Sequence, residues 1–144
     1  MINLPDWNLS AALLWPARYF VMWNTMHANP AEMKRLIEVI ERHGDTVGRN
    51  TDEIEKTIMM PLCYKASKER EQMISGVVAS MARITLEQAR DRIMIGGKDE
   101  CLDKIAQYAK VGVTHFIFSL RWPILVEEEF QAFAEEVIPA ARRQ

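Results

Sequence analysis

The stretch "VGVTHFIFSLRWP", residues 111–123, decides the fold. Its apolar side chains follow one another almost without a polar gap, as in a parallel strand that is buried on both faces. A helical pattern precedes the stretch, and Trp122 and Pro123 close it. The stretch therefore predicts a strand of a parallel α/β fold, and it raises the question of what covers the second face of that strand.

Two further strands are predicted, at residues 18–24, "RYFVMWN", and residues 54–64, "IEKTIMMPLCY". Pro61 should end or interrupt the second of these, because proline has no amide for the ladder. Apolar spacings of three and four residues predict helices over the intervening segments, at about 30–44 or 30–48, 66–81, from 85, 99–110 and from 127. Asn29 with Glu32 and Thr85 with Gln88 have the spacing of capping boxes at two of these helix starts, and Met81 should point inward on the helix at 66–81. Strands separated by crossover helices are typical of a parallel sheet.

The composition predicts a single domain over residues 1–144 and excludes several classes of function. Eighteen basic and twenty acidic side chains give a net charge of −2, without a basic stripe for a phosphate backbone, so nucleic acid is not an expected partner. The two cysteines are far apart and no histidine cluster occurs, so neither a metal site nor a disulfide framework is indicated. A reducing cytoplasm is the expected location.

The apolar opening "LSAALLWPARYFVMW", residues 9–23, is the only stretch that suggests a membrane segment or a signal sequence. Asp6 precedes it where a signal sequence has basic residues, and Pro16 and Arg18 interrupt it. We therefore expect neither membrane insertion nor export.

Four segments, "ARYFVMWN", "IEVIERHGDTVGRNTDEIEKT", "MIGGKDECLDKIAQYAKVGVTHFIFSL" and "FAEEVIPAAR", occur in this order along residues 17–142. They resemble the motifs "ARYADxWN", "hxxxGRDPxxIExS", "xxGTPEEVxEKLxxYxxAGVDHFILSF" and "FAEEVLPAL" of the luciferase-like family of flavin- and deazaflavin-dependent monooxygenases and oxidoreductases, which are (β/α)₈ barrels. The resemblance implies an α/β fold equivalent to the C-terminal part of such a barrel, with about three parallel strands and covering helices.

The resemblance does not extend to the parts that hold the cofactor in this family. The family's flavin ring and most of its catalytic residues lie on earlier strands, and its phosphate lies on a glycine-rich turn, where this chain reads "MINLPDWNLS". Phe20 and Val21 replace the family's Ala-Asp pair. A complete barrel needs about 250 residues. We therefore expect one face and both edges of a three-stranded sheet to be covered by a second copy, in a homodimer or a higher even-numbered oligomer.

Candidate site residues follow from the rule that barrel chemistry gathers at the C-terminal ends of strands. They are Trp23, Asn24, His27, Cys63, Tyr64, Ser119, Arg121 and Trp122. Together they would suit a planar, anionic small molecule, with Arg121 as an anion ligand. Gly96, Gly97 and Lys98 form a second candidate anion site at the start of a helix.

Structural explanations also exist for several of these residues. Aromatic residues at strand ends often only close a barrel mouth, Arg121 can form an ion pair with Glu127 or Glu128, and His27 can be a solvated loop residue. Nothing in the sequence places a base beside Cys63.

Three functions remain open from the sequence. The first is a non-catalytic or residual small-ligand-binding oligomer, without a firmly indicated cofactor. The second is a monooxygenase or oxidoreductase dependent on FMN or a deazaflavin, with its site completed by another subunit or chain. The third is a gene fragment without a selected activity.

Overall fold

The computed structural model describes residue 13, residues 16–119 and residues 126–143. Its strands are β1 (Met22–Met26), β2 (Glu55–Met60), β3 (Leu62–Tyr64), β4 (Met94–Gly96) and β5 (His115–Phe118). Its helices are α1 (Pro30–Val47), α2 (Lys68–Ala82), α3 (Leu86–Arg90), α4 (Lys98–Lys110), α5 (Glu127–Glu136) and α6 (Ile138–Ala141), with a 3₁₀ turn at Thr51–Glu53.

The strands form two parallel sheets, which are connected through the consecutive strands β2 and β3. β1, β2 and β5 form a three-stranded sheet in the order β1-β2-β5, and β3 pairs with β4. Pro61 separates β2 from β3, as the sequence predicted. The predicted α/β class with three parallel strands in a partial barrel is confirmed.

The sequence placed three features wrongly. The first strand was expected at residues 18–24 but begins at Met22, because residues 16–19 are helical. β4 was not predicted as a strand. Met81 was expected to point inward, yet it is exposed on α2.

Helix α1 shows why local sequence signals position this fold well. Asn29 Oδ1 accepts from the amide of Glu32 at 2.9 Å, and Glu32 Oε2 accepts from the amide of Asn29 at 2.9 Å, which is the predicted capping box. Gly48 ends the helix with a left-handed φ of 70°. Met33 and Ile40 bury its apolar face against the sheet.

One face of the three-stranded sheet carries the main core, which helices α1, α4 and α5 cover. We call it the covered face; it includes Trp23, Ile58, Met60, Phe116 and Phe118. Edge-to-face ring contacts join this face to the helices, between Phe118 and Phe133 of α5 at 5.0 Å and between Phe116 and Tyr108 of α4 at 5.7 Å.

A smaller core lies between helices α2 and α3 and the short sheet of β3 and β4. Its buried members are Cys63, Ile74, Val78, Ala89, Ile93 and Ile95. Leu62 and Tyr64 belong instead to the main core. The short sheet therefore has helices on both faces.

Candidate functional site

The opposite face of the three-stranded sheet, which we call the open face, is a candidate binding surface. Side chains of strand partners lie on one face of a sheet, so the register defines its rows. The lower row is Met22 and Glu55, the middle row is Asn24, Thr57 and His115, and the upper row is Met26, Met59 and Ile117. This is the uncovered face that the sequence predicted, since Met22, Met26 and Ile117 are 46%, 51% and 36% exposed.

The middle row is a polar band across an otherwise largely apolar surface. The Thr57 hydroxyl lies 2.8 Å from Asn24 Oδ1 and 3.1 Å from the carbonyl oxygen of Trp23, and it donates to these acceptors. The amide nitrogen of Asn24 carries two further donors on an exposed side chain. His115 Nδ1 lies 3.8 Å from Glu55 Oε2. The open face thus offers hydrogen-bond donors beside apolar packing surface.

His27 follows β1 directly and is held there by the backbone. Its φ is 53°, in the left-handed region, and its amide donates to the carbonyl oxygen of Met59 at 3.2 Å. The side chain is half-buried, and its Nδ1 has no hydrogen-bond partner among the described residues. Burial and, to a smaller extent, the nearby Arg92 guanidinium lower the pKa of His27 below 6.5. The imidazole is therefore neutral at physiological pH.

Cys63 and Tyr64 lie on opposite faces of β3 and are both buried. Burial raises the pKa of the Cys63 thiol to about 12, so the thiol is protonated and a poor nucleophile. The Tyr64 ring packs edge-on against Phe133, and its hydroxyl donates to Glu136 Oε2 at 2.7 Å. Burial, then this hydrogen bond, raises the pKa of Tyr64. Neither side chain shares a surface with Asn24.

The structure separates the remaining strand-end residues. Trp23 is buried on the covered face, away from Asn24, because successive side chains of a strand alternate. Ser119 is half-buried, and its amide donates to the carbonyl oxygen of Met60 at 3.1 Å. Arg121 and Trp122 lie outside the described residues.

The second candidate anion site, Gly96 to Lys98, starts helix α4. Gly96 has a φ of 114°, which favours glycine, and Lys98 is exposed. The Glu100 carboxylate accepts from the Gly97 amide at 2.6 Å. A carboxylate of the chain therefore already occupies one amide that an anion would use.

Sequence reasoning missed three ion pairs that link helices α1 and α5 to distant parts of the chain. Arg70 Nε of α2 lies 2.6 Å from Glu129 Oε1 of α5, and both side chains are largely buried. Lys65 pairs with Glu136 of α5 at 2.7 Å, and Arg92 pairs with Glu32 of α1. The partners are 59 to 71 residues apart, so no local pattern could reveal them.

Other kinds of site receive little support from the described part of the chain. Within it, no group of three or more His, Cys, Asp or Glu side chains is arranged to hold a metal ion. None of its helices is long and apolar enough to cross a bilayer. A groove of 320 Å³ lies between the start of α1, the end of α3 and the second half of α4, but its lining contains no predicted site residue; that lining is Asn29, Pro30, Ala31, Asp91, Lys104 and Gln107.

Comparison with solved structures shows what this fold resembles. The coenzyme F420-dependent tetrahydromethanopterin reductase from Methanopyrus kandleri matches with a TM-score of 0.70 at 18% identity, over 91% of this chain and 48% of that one. An F420-dependent secondary alcohol dehydrogenase, solved with an F420–acetone adduct, matches with a TM-score of 0.69 at 18% identity, over 92% and 46%. A riboflavin lyase, solved with modified FMN and riboflavin, matches with a TM-score of 0.67 at 14% identity, over 91% and 40%.

The chain therefore spans less than half the length of each of these three proteins. No protein-family model and no curated protein sequence matches it. The three proteins share the luciferase-like fold, which is the fold that the four sequence motifs implied. This chain has the fold of part of a luciferase-like barrel.

Proposed function

We propose that this chain is a half-barrel that binds a planar, anionic small molecule of the flavin or deazaflavin class on its open face, without catalysing a reaction of its own. The observation that supports this function is the composition of the open face. An apolar row of Met26, Met59 and Ile117 adjoins a polar row that contains the Asn24 amide. Methionine side chains are flexible and polarizable, so they suit the face of an aromatic ring system.

The polar row suits the edge of such a ring system. Flavin and deazaflavin rings carry carbonyl oxygens, and the Asn24 amide offers two donors for them beyond its contact with Thr57. Arg121 and Lys98 are the proposed ligands for the anionic part of the molecule, as predicted from the sequence. The three similar proteins act with or on F420, FMN or riboflavin by their names, which makes this ligand class a reasonable choice.

Binding is favoured over catalysis by the state of the chain's reactive groups. The Cys63 thiol is buried and has a pKa of about 12, so it is not an activated nucleophile. Tyr64 is buried and its pKa is raised, so it holds its proton at neutral pH. The proposal includes a single domain over residues 1–144. It also includes a homo-oligomer, in which the ligand is enclosed between subunits.

Fluorescence titration of FMN and riboflavin tests this function. We expect quenching of both flavins by the wild-type protein, with tighter binding of FMN because its phosphate adds a charge-assisted contact. Asn24→Ala should weaken FMN binding by about 1 kcal/mol, or about fivefold, the usual value of one hydrogen bond. Gln72→Ala, which changes an exposed amide on α2, is the matched control. If flavin fluorescence is not quenched at protein concentrations up to millimolar, the proposed function is wrong. If Asn24→Ala and Gln72→Ala have equal effects on FMN binding, the ligand does not bind at Asn24.

A second candidate function is a flavin- or deazaflavin-dependent oxidoreductase whose site another subunit or chain completes. It is supported by His27, a neutral imidazole at the end of β1 whose Nδ1 has no hydrogen-bond partner among the described residues. Such a group suits proton transfer. Two observations together would favour this function over binding alone. A yellow chromophore should copurify with the protein, and reduced nicotinamide nucleotides should bleach this chromophore more slowly in His27→Gln than in the wild type.

A further inference from the structure

The three rows of the open face differ in chemistry along the strand direction. The upper row is entirely apolar, with Met26, Met59 and Ile117. The middle row is polar, and the lower row ends in the Glu55 carboxylate. Any partner that covers this face must therefore place apolar groups near the C-terminal ends of the strands and polar groups near their starts.

We propose that a second copy of this chain covers the open face, related to the first by a two-fold axis that runs along the strands. This arrangement rests on the proposed function, since the ligand would lie between the two open faces. The two β2 strands face each other across the axis at about 10 Å, the ordinary spacing of packed sheets. Each sheet curves toward the other, so that β1 of each copy lies beside β5 of the other at the distance of neighbouring strands.

The row pattern selects this axis over the alternative. With the axis along the strands, each row meets its own counterpart, so two upper rows form one apolar layer of six side chains. With a two-fold axis across the strands, the upper row would meet the lower row instead. Met59 would then face the Glu55 carboxylate of the other copy, and burial of a charge against apolar groups is unfavourable. With the axis along the strands, the two Glu55 carboxylates face each other instead. They lie in the outermost row with side chains that are 47% exposed, and each has the His115 Nδ1 of its own copy 3.8 Å away, which limits their repulsion.

The backbone of the edge strands supports the same axis. β1 and β5 are the edges of the described three-stranded sheet. The Glu55 amide donates to the Val21 carbonyl and the His27 amide to the Met59 carbonyl, so the backbone groups of the alternate residues Met22, Asn24 and Met26 point away from β2. An axis along the strands brings this edge beside the β5 edge of the second copy in a parallel direction. Both edges are then protected.

A second copy also fits the symmetry of the open face. A two-fold interface needs only one self-complementary surface, and the upper row is complementary to itself because it is wholly apolar.

Cross-linking of single-cysteine variants tests the partner and the axis together. Glu55 and Met59 are both on the central strand β2 and are about 13 Å apart along it. Glu55→Cys and Met59→Cys should each form a covalent dimer with a short bis-maleimide, because each residue meets its own counterpart at the axis. Met81→Cys, on the exposed apolar surface of α2, is the control and should give no dimer. The wild-type protein, with Cys63 and Cys101 both buried, gives the background.

Three outcomes would overturn the arrangement. The first is a sedimentation mass of 16.6 kDa for the wild-type protein across the micromolar range. The second is cross-linking only in a mixture of the two β2 variants, which indicates an axis across the strands. The third is cross-linking of Met81→Cys with neither β2 variant reacting.

Glu55 is exposed, so its variant remains informative even if Met59→Cys folds poorly. Cross-linking needs no ligand, so it can fail separately from the proposed function. If the cross-links are absent while FMN is still quenched, only the arrangement is wrong.

Discussion

The buried ion pair between Arg70 and Glu129 joins helices α2 and α5, and its removal is the most informative test of the fold. The two side chains are only 13% and 12% exposed, and Arg70 Nε lies 2.6 Å from Glu129 Oε1. The second carboxylate oxygen, Oε2, is buried without a hydrogen-bond partner among the described residues. Loss of the guanidinium would therefore leave a buried carboxylate with little compensation.

We expect Arg70→Met to lower the free energy of unfolding by about 3–5 kcal/mol, the usual effect of breaking a buried pair on one side. This is a large fraction of a domain's stability of about 5–15 kcal/mol. The double variant Arg70→Met/Glu129→Leu replaces the pair with apolar side chains, so it should be more stable than Arg70→Met alone. Lys34→Met is the control, because the Lys34–Glu38 pair is 66% and 56% exposed and should contribute less than about 1 kcal/mol.

Urea denaturation at one protein concentration measures these changes, since association would otherwise contribute to apparent stability. A loss below about 1 kcal/mol for Arg70→Met would refute the reasoning, because an exposed pair behaves in that way. A double variant that loses the sum of the two single effects would refute it as well, since groups in contact should be coupled.

Two further predictions concern titratable groups. Because burial lowers the pKa of His27 below 6.5 in the folded chain, the unfolded chain takes up the proton first, so the stability from the neutral ring is lost as pH falls below 6.5. His27→Asn, which tolerates the φ of 53°, should flatten this loss in urea denaturation above and below that pH, and an unchanged profile would count against it. The pKa of the Cys63 thiol is raised to about 12 and that of Cys101 to about 11, both mainly by burial, so Ellman's reagent should label neither before unfolding and both after it. Fast labelling of the native protein would contradict this prediction: at Cys63 it would show that the smaller core is open, and at Cys101 that the main core is open.

Local sequence signals predicted the parts of the fold that depend on neighbouring residues. The Asn29 cap, the Thr85 cap with its Gln88 partner and the break at Pro61 all occur as predicted. Each signal acts through the backbone of the next few residues, so it needs no knowledge of tertiary contacts. β4 was missed because a strand of three residues is too short to show a periodic pattern.

The candidate site was predicted less well, for two physical reasons. Trp23 and Asn24 were grouped by their position along the chain, although the alternation of a strand places their side chains on opposite faces. That alternation was readable from the sequence once the boundaries of β1 were known. The pairing of Arg70 with Glu129 was not readable, because it depends on how two distant helices pack.

The break at Pro61 has a consequence for local unfolding. β2 is bonded to β1 and β5, whereas β3 beyond the proline is bonded to β4 and shares a small core with α2 and α3. Residues 62–96 can therefore open as one cooperative unit while every hydrogen bond of β2 to its two neighbours is kept, although this opening breaks the main-core contacts of Leu62 and Tyr64 and the Arg70–Glu129 pair. Amide hydrogen exchange should separate the chain into two groups, with β3, β4 and α2 exchanging together at a lower opening free energy than β1, β2 and β5. Pro61 therefore marks the boundary between two units of different stability, with β2 in one and β3 in the other.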